Sequence, residues 1–297
     1  MMTKGSLCSG YGGLDMATPG ALSWYAENDA DAASIMGREH PGIPNFSDIT
    51  VPDIDFPHVD LLLSGDPCQS LSAAGHRRGR ADERYLWPHV RNIIARVMPE
   101  QIFMENVQNI VSLDGGVHLA ERLDALRALG YEVRWTVLGA CAIGAPHHRH
   151  RWFLRARRVN TLWAPDPVRV AAKCGAPRGG SRQILPTPRA TDGTNGGPGQ
   201  RGRKGDLAMG SAVQAEHWGK FADAIALWEQ ITGRPAPCPT EPAPRGGRRL
   251  NAELSEWMMG LDLGYVTKDR VRNEALKRIG NGVVPLQART AWDLLEF

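Results

Sequence analysis

The sequence lacks long apolar runs, and its few cysteines are scattered. No run approaches the roughly 20 apolar residues that are needed to cross a bilayer. Five cysteines, Cys8, Cys68, Cys141, Cys174 and Cys238, include no C-x-x-C pair, which argues against a disulfide framework or a cysteine zinc site. The opening MMTKGSLCSG shows no apolar targeting segment, and no internal repeat is visible. We therefore expect a cytoplasmic protein without membrane association.

Charge is distributed unevenly along the 297 residues. Residues 141–210 carry 13 Lys and Arg against Asp166, Asp192 and Asp206, a balance of +10, so a net charge of +3 leaves −7 for the rest. A basic segment attached to an acidic body indicates a face that binds a polyanion. A solvated, arginine-rich loop region is the alternative that charge alone leaves open.

Apolar runs alternate with amphipathic stretches over the first 155 residues, which predicts an α/β fold with a mainly parallel sheet. The predicted strands lie at GSLCSG, LSWYAEND, VDLLLSG, EQIFMENV and YEVRWTVLGA, with helices between them near Leu14, over Ala30 to Arg38, in LWPHVRNIIARVM and in HLAERLDALRALG.

This alternation stops near Arg158, where a stretch rich in Pro, Gly and Arg begins. A short helix is predicted in KFADAIALWEQI, and ordered structure is expected to return at RLNAELSEWMMGL. We predict an α/β domain of residues 1–157 plus 273–297 and a small irregular domain of residues 158–272.

A glycine-rich turn, SGYGG, follows the first strand and enters a helix. Gly10, Gly12 and Gly13 allow a tight turn and close approach of a ligand to the backbone. Glu27 follows 17 residues after Gly10, at the end of the next strand, in the position of an acid that binds ribose hydroxyls. This pattern predicts a nucleoside-type ligand, whereas a tight turn beside a surface glutamate is the simpler alternative.

Cys68 lies in GDPCQ, where the strand VDLLLS leaves the core, and Glu105 ends the following strand in FMENV. Because parallel strand ends share one edge of a sheet, the two side chains are expected in one site. A partly buried glutamate can give or share a proton near neutral pH, and a thiol beside it can act as a nucleophile. A small buried cysteine is the alternative.

The segment GAPHHRHRWF is interpreted as a strand that places Arg149 and Arg151 on one face, suited to an anion or a polar ring edge. A solvated edge strand would show the same pattern. His147, His148 and His150 have no diagnostic metal spacing, so no metal site is predicted.

Taken in order, SGYGG, PCQ, ENV, the R-x-R of HHRHRWF, and GNGVVP resemble the motifs of the DNA (cytosine-5)-methyltransferase family. The resemblance extends over residues 5–157 and 248–297. It implies a Rossmann-like methyltransferase domain dependent on S-adenosylmethionine, with residues 158–272 as the target-recognition domain.

The same resemblance implies the chemistry. Cys68 attacks C6 of a flipped-out cytosine, C5 takes the methyl group, and the adduct then releases the cysteine. Glu105 would hold N3 and N4 of the base, and Arg151, with Arg149, would contact O2. The resemblance assigns the cofactor to Gly10, Tyr11, Gly12, Gly13, Glu27, Asn28, Asp48, Ile49, Pro67, Leu86, Asn281 and Val283.

Several positions depart from the common family pattern. Cys8 and Asn28 stand where larger side chains often pack against the adenine, and His147 stands where glutamine is frequent. Asp66 before Pro67 is also unusual, and the sequence offers no physical account of it.

The implied substrate is a short specific sequence in double-stranded DNA, read by the arginines and other side chains of the basic segment. The implied setting is a bacterial or phage-infected cell, with a cognate restriction endonuclease as genetic partner, and nothing demands more than a monomer. An RNA cytosine-5 methyltransferase and a catalytically inactive DNA-binding regulator are the alternatives. A Rossmann oxidoreductase would fit SGYGG and Glu27 but has no use for PCQ with ENV.

Overall fold

The computed structural model describes residues 1–67, 85–159, 164–172, 183–193, 209–212, 218–244 and 246–297. These residues divide into two compact units. The first consists of Met1–Leu138, His150–Ala172 and Ala288–Phe297, and the second of Gly139–Arg149 and Lys173–Gln287. The boundaries predicted at residues 158 and 273 separate parts with different expected functions, and they remain a prediction.

Within the described ranges, seven strands of the first unit form one sheet in the order β2-β1-β3-β4-β6-β5-β7. Pairings of β1 with β2 and β3, and of β3 with β4, are parallel, whereas β6 runs antiparallel to β4. This confirms the mainly parallel α/β sheet. The strands are β1 Thr3–Leu7, β2 Ala21–Ala26, β3 Leu61–Ser64, β4 Gln101–Val107, β5 Tyr131–Gly139, β6 His150–Arg158 and β7 Val168–Arg169.

The helices between these strands follow from capping and apolar spacing. The side chain of Asp29 caps α2 by accepting from the N–H groups of Asp31 and Ala32, both at 3.1 Å. The α3 helix buries Val90, Ile94 and Val97 at spacings that place them on one face. The helices of this part are α1 Gly13–Ala17, α2 Ala30–Glu39, α3 Trp87–Val97 and α4 Val117–Ala128.

The core lies against the central strands, where Leu61, Leu62 and Leu63 of β3 are fully buried. Gly5 on β1 leaves room for the indole of Trp24, because a Cβ there would lie 2.3 Å from the ring. In the described ranges no helix is both long and apolar enough to span a membrane.

In the residues that the structure describes, the second unit contains only short helices, turns and strands. A 3₁₀ turn at Ala190–Gly193 packs against α8. The other elements are α5 Met209–Ala212, α6 Ala222–Thr232, β8 Thr240–Pro242, β9 Arg248–Leu250, α7 Ala252–Met258 and α8 Arg272–Asn281, and α9 Pro285–Leu294 then leads back to the first unit.

Candidate active site

The carboxyl ends of β1 and β3 lie side by side at the point where the strand order reverses, with β2 beyond β1 and β4 beyond β3. In open α/β sheets this is the edge that binds ligands. Gly10 and Gly12 in the turn after β1 have φ angles of 57° and 83°, which glycine adopts without strain. A Cβ at Gly10 would meet nothing within 4 Å, so the turn leaves open space beside the backbone.

Glu27, at the end of β2, is 9 % exposed and faces this turn. Its carboxylate accepts from the N–H of Gly10 at 2.8 Å and from that of Asp29 at 2.9 Å. Asn45 closes the arrangement, because its side chain accepts from the N–H of Glu27 and donates to the carbonyl of the same residue, both at 3.0 Å. The structure therefore brings the predicted acid to the predicted glycine turn.

Cys8 lies at the start of the turn with a φ of 51°. Burial raises the pKa of its thiol well above the usual value, and the carboxylates of Asp66, Glu27 and Asp48 raise that pKa further. These three acidic side chains come from three different strand ends or loops. All three carboxylates therefore act electrostatically on the Cys8 thiol at the start of the turn.

The other predicted cofactor residues differ in exposure. Tyr11 and Ile49 are buried, Leu86 packs partly against the core, and Asn28 and Pro67 are exposed. Asn281 and Val283 belong to the second unit, where Asn281 ends α8 and is exposed while Val283 is buried.

Glu105 and Arg151 form an ion pair at the same edge of the sheet. Because β6 runs antiparallel to β4, the start of β6 meets the end of β4, and Val107 pairs with Arg151. Nε of Arg151 lies 2.8 Å from Oε1 of Glu105, and the side chains are 16 % and 14 % exposed. Both side chains are therefore partly exposed, and the pairing of β4 with β6 fixes the backbone that carries them.

Cys68 lies outside the described residues, which run to Pro67 before the gap. The chain just before it is held to β4, because Nδ2 of Asn106 donates to the carbonyl of Asp66 at 3.0 Å. Asn106 follows Glu105 directly, so the exit of β3 and the base-binding candidate on β4 are joined by a side-chain bond. The predicted sharing of one site by Cys68 and Glu105 remains a prediction.

Comparison with known proteins identifies the family. A profile of the C-5 cytosine-specific DNA methylases matches residues 2–190. The chain belongs to this family. The Type II methyltransferase M.Bsp6I of Bacillus sp. (strain RFL6) is 34% identical over 165 residues, 52% of this chain and 51% of that protein. The Type II methyltransferase M.NgoBV of Neisseria gonorrhoeae is 36% identical over 132 residues, 41% of this chain and 31% of that protein. These matches span about half of the first relative's length and about a third of the second's.

Solved structures agree with the fold of this chain. A mutant of Spodoptera frugiperda DNMT2 superposes with a TM-score of 0.63 at 16% identity, and the alignment covers 100% of both chains. The Dnmt2 methyltransferase of S. pombe gives 0.59 at 17% identity, covering 99% of this chain and 98% of that one. At such identities the likeness establishes the fold and nothing more.

The prediction that Arg149 and Arg151 share one face of a strand is wrong. The strand begins at His150, because Arg149 has a φ of 27° and turns the backbone away from extended geometry. Arg149 is 3 % exposed in the second unit. Its guanidinium donates to the carbonyls of Pro188 at 3.3 Å, Gly280 at 3.1 Å and Gly282.

These bonds give Arg149 a structural position within the second unit. They join the segment LPTPR to the GNG turn that carries Asn281, and the N–H of Arg149 also donates to the hydroxyl of Thr187 at 3.1 Å. Packing is close, since a Cβ at Gly280 would lie 2.0 Å from the nitrogen of Ala190. His147 is likewise buried, with Nε2 3.0 Å from the carbonyl of Met258.

Sequence reasoning missed two buried charged side chains. Arg122 on α4 pairs with Asp66, and Glu256 on α7 accepts from the N–H groups of Gly264, Val266 and Thr267. One signal was present for Arg122, because its spacing from Leu119 and Leu126 places it on the buried face of the helix. Nothing in the pattern around Glu256 indicates its loop partners.

Proposed function

We propose that this methylase is a DNA (cytosine-5)-methyltransferase that acts on a flipped-out cytosine in a short, specific duplex sequence. The methyl group comes from S-adenosylmethionine, and the reaction passes through a covalent bond between Cys68 and C6 of the base. The observation that carries the proposal is the ion pair of Glu105 and Arg151 beside the exit of β3, two residues before Cys68.

The chemistry explains why these residue types belong together. Cytosine C5 is a poor nucleophile, and addition of a thiolate at C6 gives it enamine character. Glu105 would hold the base through N3 and N4 and stabilise its protonated form, while Arg151 fixes the carboxylate and contacts O2. After methyl transfer, C5 loses its proton and the bond to Cys68 breaks, which returns the thiolate. The base must leave the helix because C6 is not accessible within stacked DNA.

The residues around the glycine turn fit S-adenosylmethionine, which supplies an electrophilic methyl group when bound. The open space beside Gly10 accommodates a ligand close to the backbone, and the carboxylate of Glu27 can accept from ribose hydroxyls. Asp48 can accept from the adenine amino group. Tyr11, Gly12, Gly13, Asn28, Ile49, Pro67, Leu86, Asn281 and Val283 complete the proposed cofactor set.

We propose residues 158–272 as the part that reads the DNA sequence. The balance of +10 over residues 141–210 supports contacts to phosphates, which supply affinity, whereas sequence selection needs contacts to base edges. A monomer suffices for this reaction. A cognate restriction endonuclease and a bacterial or phage-infected host cell are the proposed biological context.

The test is base-resolution mapping of 5-methylcytosine in DNA from a methylation-free host that expresses this chain. We expect methylation at one short motif and none with Cys68→Ala. Glu105→Gln should retain binding of S-adenosylmethionine and lose most methyl transfer, because the amide cannot hold the protonated base in the same way. Folded protein that binds S-adenosylmethionine and leaves this DNA unmodified would contradict the proposal, and cellular RNA from the same cultures would then be mapped.

A further inference from the structure

An ion pair lies buried directly behind the exit of β3. Nη2 of Arg122 on α4 donates to Oδ2 of Asp66, and the side chains are 1 % and 3 % exposed. The hydroxyl of Ser64 donates to the other carboxylate oxygen at 3.3 Å. The guanidinium carbon of Arg122 lies 4.7 Å from the ring centre of Trp87, a cation–π distance. Asp66 is therefore held from the helix side of the sheet.

Asp66 is also held from the neighbouring strand. Nδ2 of Asn106 donates to its carbonyl at 3.0 Å, while Oδ1 of Asn106 accepts from the N–H of Val107 at 2.8 Å. The backbone at residue 66 is thus fixed by its side chain towards α4 and by its carbonyl towards β4. Pro67 then leads directly to Cys68, and Glu105 precedes Asn106 on β4.

Packing alone does not account for these charges. Replacing a buried ion pair with apolar side chains of similar volume is often neutral or stabilising. Here the arginine is incompletely satisfied, because among the described residues its Nε and Nη1 have no hydrogen-bond acceptor. An apolar pair would also join α4 to the end of β3. It would lack the directional bond by which Arg122 fixes the side chain of residue 66.

We propose that Arg122 and Asp66 are positioning residues for methyl transfer. Their ion pair fixes the backbone at Asp66 and Pro67, from which the nucleophile follows, and through Asn106 it keeps this segment in register with Glu105. The inference rests on the proposed function and adds to it two residues that do not touch the substrate. It also gives a physical reason for the aspartate before Pro67.

The test compares Arg122→Met, Asp66→Asn and the double variant. For each, the rate of adduct formation is measured on duplex DNA that contains 5-fluorocytosine at the target position, with S-adenosylmethionine present. Fluorine at C5 cannot leave as a proton does, so the adduct accumulates and is counted on a gel. Affinity for S-adenosylhomocysteine, affinity for the DNA, and Tm are measured on the same preparations.

We expect Arg122→Met to slow adduct formation about 100-fold, the scale expected for a misplacement of about 1 Å, while both affinities stay close to those of the parent. In the double variant no lone charge is left buried, so Tm should recover. The rate of adduct formation should stay low because the bond from residue 122 on α4 to the side chain of residue 66 is still missing. A rate that recovers together with Tm would overturn the proposal, since the ion pair would then act through stability alone.

Arg127→Met is the matched control, because Arg127 lies on the same helix and pairs at 2.8 Å with the exposed Asp166. It should leave the adduct rate and Tm unchanged. Amide hydrogen exchange of residues 61–67 and 101–107 supplies a readout independent of the reaction. Arg122→Met should speed exchange at both strand ends. If the parent chain forms no adduct, the proposed function fails, whereas unchanged exchange in Arg122→Met would refute the positioning role itself.

Discussion

The two compact units are stabilised in different ways. In the first, backbone pairing along β1, β3 and β4 orders the chain, and fully buried leucines of β3 fill the core. In the second, side chains that bond to the main chain connect irregular segments. Glu256 is bound by three backbone N–H groups at 2.5 to 3.0 Å, and Nε1 of Trp228 donates to the carbonyl of Trp257 at 2.9 Å. The loss of a single side chain is therefore expected to lower stability more in the second unit than in the first.

Glu256→Gln should have the largest effect on stability. The fully buried carboxylate accepts from three N–H groups and from the hydroxyl of Thr267 at 2.9 Å, and an amide offers only one acceptor oxygen for them. We expect a loss of about 3 kcal/mol in the free energy of unfolding of the second unit. Urea unfolding, followed by hydrogen exchange of residues 260–268, measures it. The exposed Glu253→Gln on the same helix is the control and should change neither quantity.

Arg149→Met should have an effect nearly as large. Its loss removes donors from the carbonyls of Pro188, Gly280 and Gly282, which lie on two segments far apart in sequence. We expect about 2–3 kcal/mol of destabilisation, with faster exchange at residues 183–189 and 280–283. The exposed Lys277→Met on α8 is the control. If Arg149→Met kept full protection of both segments but lost methyl transfer, Arg149 would instead act on the substrate as first predicted.

Asp192 makes the stability of the second unit depend on pH. Burial raises its pKa from the ordinary value of 3.8 to about 6. Since the folded state holds this proton more tightly than the unfolded state, the contribution is fully present below pH 3.8 and is lost as pH rises through 6.

Asp192→Asn removes this dependence. Between pH 4 and pH 7 the parent should lose about 2 kcal/mol relative to the variant, as measured by urea unfolding at both pH values. Parallel stability curves for the two proteins would mean that Asp192 stays ionised in the folded state.

Arg157→Gln on the sheet should have the smallest effect. Its guanidinium on β6 lies 2.8 Å from Glu132 on β5, but the side chain is 45 % exposed, and the two strands are already neighbours joined by backbone hydrogen bonds. We expect a change below about 0.5 kcal/mol. A loss as large as that of Glu256→Gln would show that side chains stabilise the sheet unit to the same degree, and the contrast between the units would disappear.

The same contrast explains how much could be predicted from sequence. The strands β1 to β5 and the helices between them follow from apolar periodicity. A strand of the sheet buries alternate side chains, and a helix packed on the sheet buries every third or fourth. Arg149 bonds to main-chain groups 39 to 133 positions away, and Glu256 bonds to those of a loop 8 to 11 positions away. Neither set of contacts is encoded in apolar periodicity.

At the site, the residues involved were predicted better than the ion pairs that they form with one another. The glycine turn and Glu27 were expected together, and the structure joins them by a hydrogen bond. The ion pair of Glu105 with Arg151 depends on β6 running antiparallel to β4, and a strand's direction in the sheet does not show in its own periodicity. The pairing of Asp66 with Arg122 bridges 56 positions, so only the spacing of α4 pointed to a buried arginine.

The close fit of Gly280 against Ala190 has a consequence for protein engineering. Since a Cβ at position 280 would lie 2.0 Å from the nitrogen of Ala190, the segment at residues 183–193 and helix α8 have complementary surfaces that other sequences will not reproduce by chance. A chimera that takes one from a relative and keeps the other would juxtapose mismatched shapes. Crossover points that exchange specificity between family members should therefore leave both segments with the same parent.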